Sequence, residues 1–250
     1  MATVEDSWRI IRLLNPTEST GITEISQALN ISKSSAHTHL STLCNEDVAV
    51  REDGEYRLSL DMVVLGEQIK SELPLYKAGR PEVNKLANET GYYVHLFTYE
   101  SKNIIYLYGS GGKKAIAKEH FTEKNHRPGQ YHTMAAGKAL LAFLPDDVVA
   151  QIIDEIDLTA YTEYTITDPE TLRNELERVR SQGFAINNQE EILGTRAVGA
   201  PIFSPDGDLL GAISISKPKA RMEGRDMYET VPDQVMEAAN AVEARVQELE

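Results

Sequence analysis

Cysteine is almost missing. Cys44 is the only one in 250 residues, which excludes an intramolecular disulfide framework and a multi-cysteine zinc site. Long apolar runs are missing as well. The longest, Met62–Leu65 and Ala139–Leu144, fall far short of the roughly 20 residues that a membrane-spanning helix needs. The opening MATVEDSWRI has no basic stretch followed by an apolar one, so no secretion signal is expected and the cytoplasm is the expected location. Positive charge is scarce: 25 Lys and Arg against 39 Asp and Glu give a net charge of −14. Taken alone, that excess argues against nucleic acid, because a duplex repels a net anion. The acidic residues are spread along the chain and not gathered in a tail. A surface of this kind suits a cytoplasm of very high salt.

Catalytic signatures are also lacking. Gly109-Ser110-Gly111-Gly112-Lys113-Lys114 does not have the Walker spacing and reads as a loop between strands. No G-x-S-x-G element occurs. His120, His126 and His132 recur every six residues, a spacing that places them on no single helix or strand face, so no metal site is expected. Cys44 and His37 share one helix with no orienting acid near in sequence. No enzyme activity and no cofactor are expected.

The hydrophobic fraction, 41%, is that of a globular protein. The length suggests one large or two modest domains. Up to about Leu60, apolar spacing predicts a helix over Val4–Leu14 stopped by Asn15-Pro16, and a second helix capped by Thr23. After a tight turn at Asn30-Ile31 it predicts a third helix capped by Ser32 with the stripe Ala36, Leu40 and Leu43. VAVREDGEYRLSL then holds two alternating stretches around Glu52-Asp53-Gly54, a hairpin signal. Three helices and a hairpin make a winged helix-turn-helix pattern. Asp61–Gly79 reads as a connecting helix with the stripe Met62, Leu65 and Ile69, interrupted at Leu73-Pro74.

Beyond it, Tyr92–Tyr99 and Asn103–Tyr108 read as strands and Arg196–Phe203 with Leu209–Ser216 as a hairpin. Helices are expected at Thr133–Leu144, Asp146–Ile156, from Asp168-Pro169 to Gly183, and at Asp233–Leu249. Helices on an antiparallel sheet give an α+β class. The expected domains are 1–60, a linker helix over 61–79, and 80–250.

One stretch escapes the acidic surroundings. Ile25 to Asn45 contains no acidic residue in 21 positions, where the chain average of 39 in 250 would place about three. The third helix opposes its apolar stripe with Ser34, Thr38, Ser41 and Asn45. Ser35 and His37 flank that face, and Ser32 and Lys33 stand at its start. Short hydrogen-bonding side chains can approach phosphates and base edges closely. Arg51 and Arg57 flank the wing. An ordinary solvated Ser/Thr face is the plainer alternative. The first 60 residues as a whole hold five Lys/Arg and nine Asp/Glu, so the neutral gap carries the DNA-binding expectation.

Three stretches resemble the IclR family of transcriptional regulators: TEISQALNISKSSAHTHLSTL, YHTMAAGKALLAFLP and GFAINNQEEILGTRAVGAPIFSPDGDLLGAISISKP. The last is the most specific, with Glu190 followed by Ala197-Val198-Gly199 and Ile202-Phe203. It departs from the family pattern at Asn187 and Ser204, and Thr38 stands where many relatives have arginine. The resemblance implies a winged helix-turn-helix, a dimerising linker helix and a GAF/PAS-like effector domain. It also implies homodimers or dimers of dimers on palindromic double-stranded operators, with a small-molecule metabolite as effector and no membrane partner.

The effector positions it implies are Ala135, Ala136, Asn187, Glu190, Ala197, Ser214 and Ser216. Their own chemistry can be read alongside. A helix N-terminus near Thr133–Gly137 offers free N–H groups to a carboxylate. Asn187, Ser214 and Ser216 can exchange hydrogen bonds with hydroxyls, and Glu190 accepts them. A sugar acid or 2-oxo acid fits. Equally, the serines can simply alternate along a strand while Glu190 pairs within the fold. The competing function is a metabolite-binding or enzymatic α/β domain whose helical N-terminus serves assembly and binds no DNA.

The acidic surface generates one prediction. Unfolding followed from low to multimolar KCl should show stability rising with salt; equal stability without salt would contradict adaptation to a saline cytoplasm.

Overall fold

The computed structural model describes residues 2–15, 18–115 and 131–249. It divides into two compact units, 1–71 and 72–250.

In the first unit, α1 (Ala2–Leu13), α2 (Ile22–Leu29) and α3 (Lys33–Asn45) bury Ile10, Leu14, Ile25, Ala36, Leu40 and Leu43 together. The stripe that the spacing predicts for α3 is therefore its buried face. A three-stranded antiparallel sheet in the order β1 (Thr20–Gly21), β3 (Glu55–Leu58), β2 (Ala49–Glu52) completes the wing. Asp53 and Gly54 both have positive φ, 51° and 87°, as a tight two-residue hairpin turn requires.

The expected cap at Thr23 is corrected. Thr20 pairs with Tyr56 and Gly21 with Glu55, so the chain leaves that short strand directly into α2, and Gly21 stands at the N-cap with no side-chain cap bond. Ser32 does cap α3: its hydroxyl accepts from the Ser35 N–H at 3.0 Å.

The expected connecting helix is two helices, α4 (Asp61–Glu72) and α5 (Pro74–Thr90), with Leu73 at the N-cap of the second and Pro74 opening it. α4 has no buried residue, whereas α5 continues well past Gly79 because Leu75, Ala78, Val83, Leu86 and Ala87 join a core.

That core belongs to the second unit. Its five antiparallel strands run in the order β5 (Asn103–Gly111), β4 (Tyr93–Glu100), β8 (Leu209–Pro218), β7 (Thr195–Phe203), β6 (Ala185–Asn188). Side chains alternate across a strand, and the registers sort them into two unlike faces. Val94 and Leu96, Ile213 and Ile215, Val198, Ala200 and Ile202 pack with Ile186 against α5 and the terminal helix α9 (Val231–Gln247). The opposite face carries His95 and Phe97, Ser214 and Ser216, Ala197 and Gly199, and Asn187. It is covered by α6 (Ala135–Phe143), which packs with α7 (Asp146–Glu155) and α8 (Pro169–Gln182). The class is α+β, as expected.

Three further details differ from the sequence expectation. α6 begins at Ala135, because Tyr131–Thr133 forms a separate 3-10 turn. β6 has only four residues and escaped the pattern. Gly109, Ser110 and Gly111 lie within β5 and not in a loop; a Cβ at Gly109 would fall 2.1 Å from the Tyr106 hydroxyl oxygen. Glycine there makes room for rings.

Candidate functional site

The neutral surface of α3 is presented outward. Ser32, Lys33, Ser34, His37, Thr38 and Asn45 are exposed, and Ser35 and Ser41 are half-buried. Part of this polar set is occupied locally. The Thr38 hydroxyl donates to the Ser34 carbonyl at 3.0 Å, and Ser41 shares a 3.4 Å hydrogen bond with His37 Nδ1. Both hydroxyl oxygens keep acceptor capacity for an incoming base or phosphate donor. The two wing arginines are unalike. Arg51 is exposed, with its guanidinium 5.5 Å from the Tyr56 ring centre, while Arg57 is held by Glu52 at 2.6 Å. Burial pushes the Cys44 thiol pKa up, against some pull from Arg51, the opposite of what an activated nucleophile needs.

A cavity opens between the start of α6 and the small-residue face of the sheet. Met134, Ala135 and Ala136 form its helical wall. Asn187 of β6, Ala197 of β7, and Ser214 and Ser216 of β8 form its floor, joined by His95 and Phe97 of β4 and by Glu191. Its lining combines apolar side chains with a few hydrogen-bonding groups.

Six of the seven effector positions expected from sequence line this cavity. Glu190 is the exception. Its carboxylate is turned into the fold, where Lys138 Nζ lies 2.8 Å from Oε1 and 2.9 Å from Oε2. Lys138 is 0% exposed and also reaches Glu175 at 3.1 Å. Glu175 in turn pairs with Arg178. Burial pushes the Glu190 carboxyl above the usual carboxylate range, and the Lys138 charge and hydrogen bonds draw it part of the way back. Glu191, one residue on, lines the cavity in its place.

His95, Phe97, Met134 and Glu191 were missed from sequence. Residues 93–97 alternate, and that period could have placed His95 and Phe97 on one face with Tyr93. His95 stacks on Tyr93, with ring centres 5.0 Å apart and planes at 22°.

The cavity's hydrogen-bonding character follows from neighbours. Met134 precedes α6 without a side-chain cap, so the first N–H groups of the helix lack helical acceptors. Asn187 Oδ1 accepts from the Glu190 N–H at 2.9 Å, which leaves its amide Nδ2 as the group to offer a ligand. Among the described residues neither Ser214 nor Ser216 spends its hydroxyl on a protein partner. Hydrogen-bond donors therefore predominate around the cavity.

Two of the expected histidines, His120 and His126, lie outside the described residues. His132 is buried and shares a 3.3 Å hydrogen bond with the Thr159 carbonyl. No group of three or more metal-ligating side chains occurs among the described residues.

Close packing of α6 on the sheet rests on Gly199. A Cβ there would meet Ala135 C at 2.7 Å and Ala136 N at 2.8 Å, both backbone atoms. Gly199→Ala should therefore cost about 1–3 kcal/mol in urea unfolding, and unchanged stability would show that the helix start is not seated there.

Comparison with known proteins completes the assignment. A family model described as "Bacterial transcriptional regulator IclR C-terminal" matches residues 68–244, and one described as "IclR helix-turn-helix domain" matches residues 4–53. The chain is 37% identical to the "Probable HTH-type transcriptional regulator ArcR" of Halobacterium salinarum, over 92% of this chain and 89% of that protein. It is 30% identical to the HTH-type transcriptional regulator KdgR of Escherichia coli, over 89% and 84%. An IclR homologue from Microbacterium hydrocarbonoxydans, crystallised with 4-hydroxybenzoate, shares its fold with a TM-score of 0.82 at 19% identity, covering 98% and 99% of the two chains. An N-terminal winged helix-turn-helix, an effector-domain sheet with a helix-walled cavity and these matches together place the chain in the IclR family of DNA-binding transcriptional regulators.

Proposed function

We propose that the chain binds a palindromic operator as a homodimer, or as a dimer of dimers, and that a small hydroxylated carboxylate in the effector cavity changes its operator affinity. Residues 1–60 contact DNA in this reading. α3 enters the major groove with Lys33, Ser34, Ser35, His37, Thr38 and Ser41, and its N-terminus at Ser32 faces a phosphate. Arg51 reaches the backbone beside it. Arg57 is the weaker contact, because it must first leave Glu52. α4 serves as the link and joins two copies: Val63, Val64, Leu65 and Ile69 are all more than half exposed on a helix with no buried residue, a stripe that a second α4 would cover. The site of action is the cytoplasm; among the described residues no helix is long and apolar enough to cross a membrane.

The observation that carries the ligand class is this predominance of donors. A carboxylate suits the α6 start and Asn187 Nδ2, while the Ser214 and Ser216 hydroxyls exchange hydrogen bonds with ligand hydroxyls. Sugar acids and 2-oxo acids carry these groups. The relative crystallised with 4-hydroxybenzoate holds a molecule with a carboxylate at one end and a hydroxyl at the other. The ligand must bind two states of the dimer unequally to shift DNA affinity.

Fluorescence anisotropy on the chain's own promoter region, in saline buffer, tests both halves. Lys33→Ala with Thr38→Ala should weaken operator binding at least tenfold and leave ligand titration unchanged. Asn187→Asp, which sets a carboxylate against the ligand's own, should leave ligand-free operator binding unchanged and weaken ligand binding at least tenfold. A protein that binds no promoter DNA would support the assembly-module alternative instead, and calorimetry silent with every sugar acid and 2-oxo acid would remove the ligand class.

A further inference from the structure

Glu190 sits beside the effector cavity without lining it, and its polar groups are engaged elsewhere. Both carboxylate oxygens accept from Lys138 Nζ of α6, and Oε1 also accepts from the Asn188 N–H at 3.2 Å. Its carbonyl accepts from the Thr165 hydroxyl at 2.6 Å. Its own N–H donates to Asn187 Oδ1 at 2.9 Å. The residue is 6% exposed, so water competes little for these bonds.

Thr165 stands in the connection between α7 and α8, and its hydroxyl bonds in two directions. It donates to the Glu190 carbonyl and accepts from the Tyr161 N–H at 3.0 Å and the Thr162 N–H at 2.9 Å. The Thr162 hydroxyl adds a 2.7 Å bond to the Gln189 carbonyl. Residues 189–192 are irregular, and Gln189 has a φ of 66°, so side chains and not a strand ladder fix where the Glu190 N–H points. That direction matters at Asn187. An asparagine amide has a donor end and an acceptor end of nearly equal shape, and its neighbours decide which end faces where. With the Glu190 N–H on one side, Asn187 turns Oδ1 toward it and Nδ2 away from it. Turned over, the amide would set two donors against each other in a residue only 3% exposed.

We propose that Glu190 and Thr165 are positioning residues for ligand recognition. Neither lines the cavity. Together they hold the Glu190 N–H on Asn187 Oδ1, so the ligand meets an amide donor at Asn187 and must bring an acceptor oxygen to it. The inference rests on the ligand reading above and extends it to a residue outside the site, because Thr165 acts through a single backbone N–H. Lys138 ties the same turn to α6, so Glu190 links the cavity's helical wall to its floor.

Substituting Glu190 would leave the buried Lys138 charge with Glu175 alone, so the test uses Thr165→Val, which keeps the shape and removes the hydroxyl. Thr165→Ser keeps the hydroxyl, and Thr159→Val removes one from the same connection that bonds to Asp157 instead. Exchange of the Glu190 amide hydrogen is followed by NMR on the ligand-free full chain. It should quicken about tenfold or more in Thr165→Val and in Asn187→Ala, no further in the double variant, and not at all in the two controls. Calorimetry uses sodium D-gluconate and sodium pyruvate. The salt that the wild type binds should lose about tenfold in affinity in Thr165→Val, and Thr165→Val added to Asn187→Ala should weaken it no more. A Glu190 amide still protected in Thr165→Val overturns the proposal. So does an equal loss of affinity from Thr165→Val with and without Asn187, the mark of a merely structural role. Binding of neither salt by the wild type removes the ligand reading, and the exchange result then upholds or overturns the hold on Asn187 by itself.

Discussion

The buried ammonium of Lys138 holds the effector unit's working parts in register. It projects from the middle of an otherwise apolar helix and meets carboxylates from two other segments, Glu190 after β6 and Glu175 on α8. A pair of this kind adds little net stability over a well-packed apolar trio, because desolvation opposes the attraction. Its directionality matters more. A charge with no water available must find its partners, and only one placement of α6 over the sheet satisfies it. That placement also brings the free N–H groups at the helix start to the cavity wall.

The sheet beneath does two jobs because a strand has two faces. β-branched residues on one side bind α5 and α9 into the core, while Ser214, Ser216, Ala197 and Asn187 on the other leave a polar floor too sparsely filled to close. Small side chains permit the close approach of α6 at Gly199 and keep a gap a few residues away. Regulation in such a unit needs a ligand that favours one arrangement of wall and floor over another. A cavity whose wall is one helix start and whose floor is the sheet is suited to that, because a ligand there touches both.

Periodic features were legible in the sequence. Ala36, Leu40 and Leu43 are buried as their spacing demands, and the Asp53-Gly54 turn and the Asp168 cap formed where their chemistry predicts; Asp168 accepts from the Thr171 N–H at 2.7 Å. What escaped had no period to show. β1 is two residues long and exists only through its pairing with β3. Glu190 and Glu191 are adjacent carboxylates on an irregular segment where Gln189 has a φ of 66°, so spacing could not say which one turns inward. A signal was present at Lys138: the run AAGKALLAF has no polar face, so a lysine inside it required a buried acid. The neutral gap in α3 was readable from charge alone, whereas the capture of Arg57 by Glu52 was not, since it depends on cross-strand geometry in the wing.

The central claim is that Lys138 and Glu190 act as one unit. A double-mutant cycle with Lys138→Met, Glu190→Gln and the double variant, read by urea unfolding, measures it most directly. The account predicts a coupling energy of about 2 kcal/mol or more, with the double variant more stable than the Lys138→Met protein, whose buried carboxylate is left alone. Additive losses, with coupling within about 0.5 kcal/mol of zero, would show that the two side chains do not depend on each other and that something else sets α6 on the sheet.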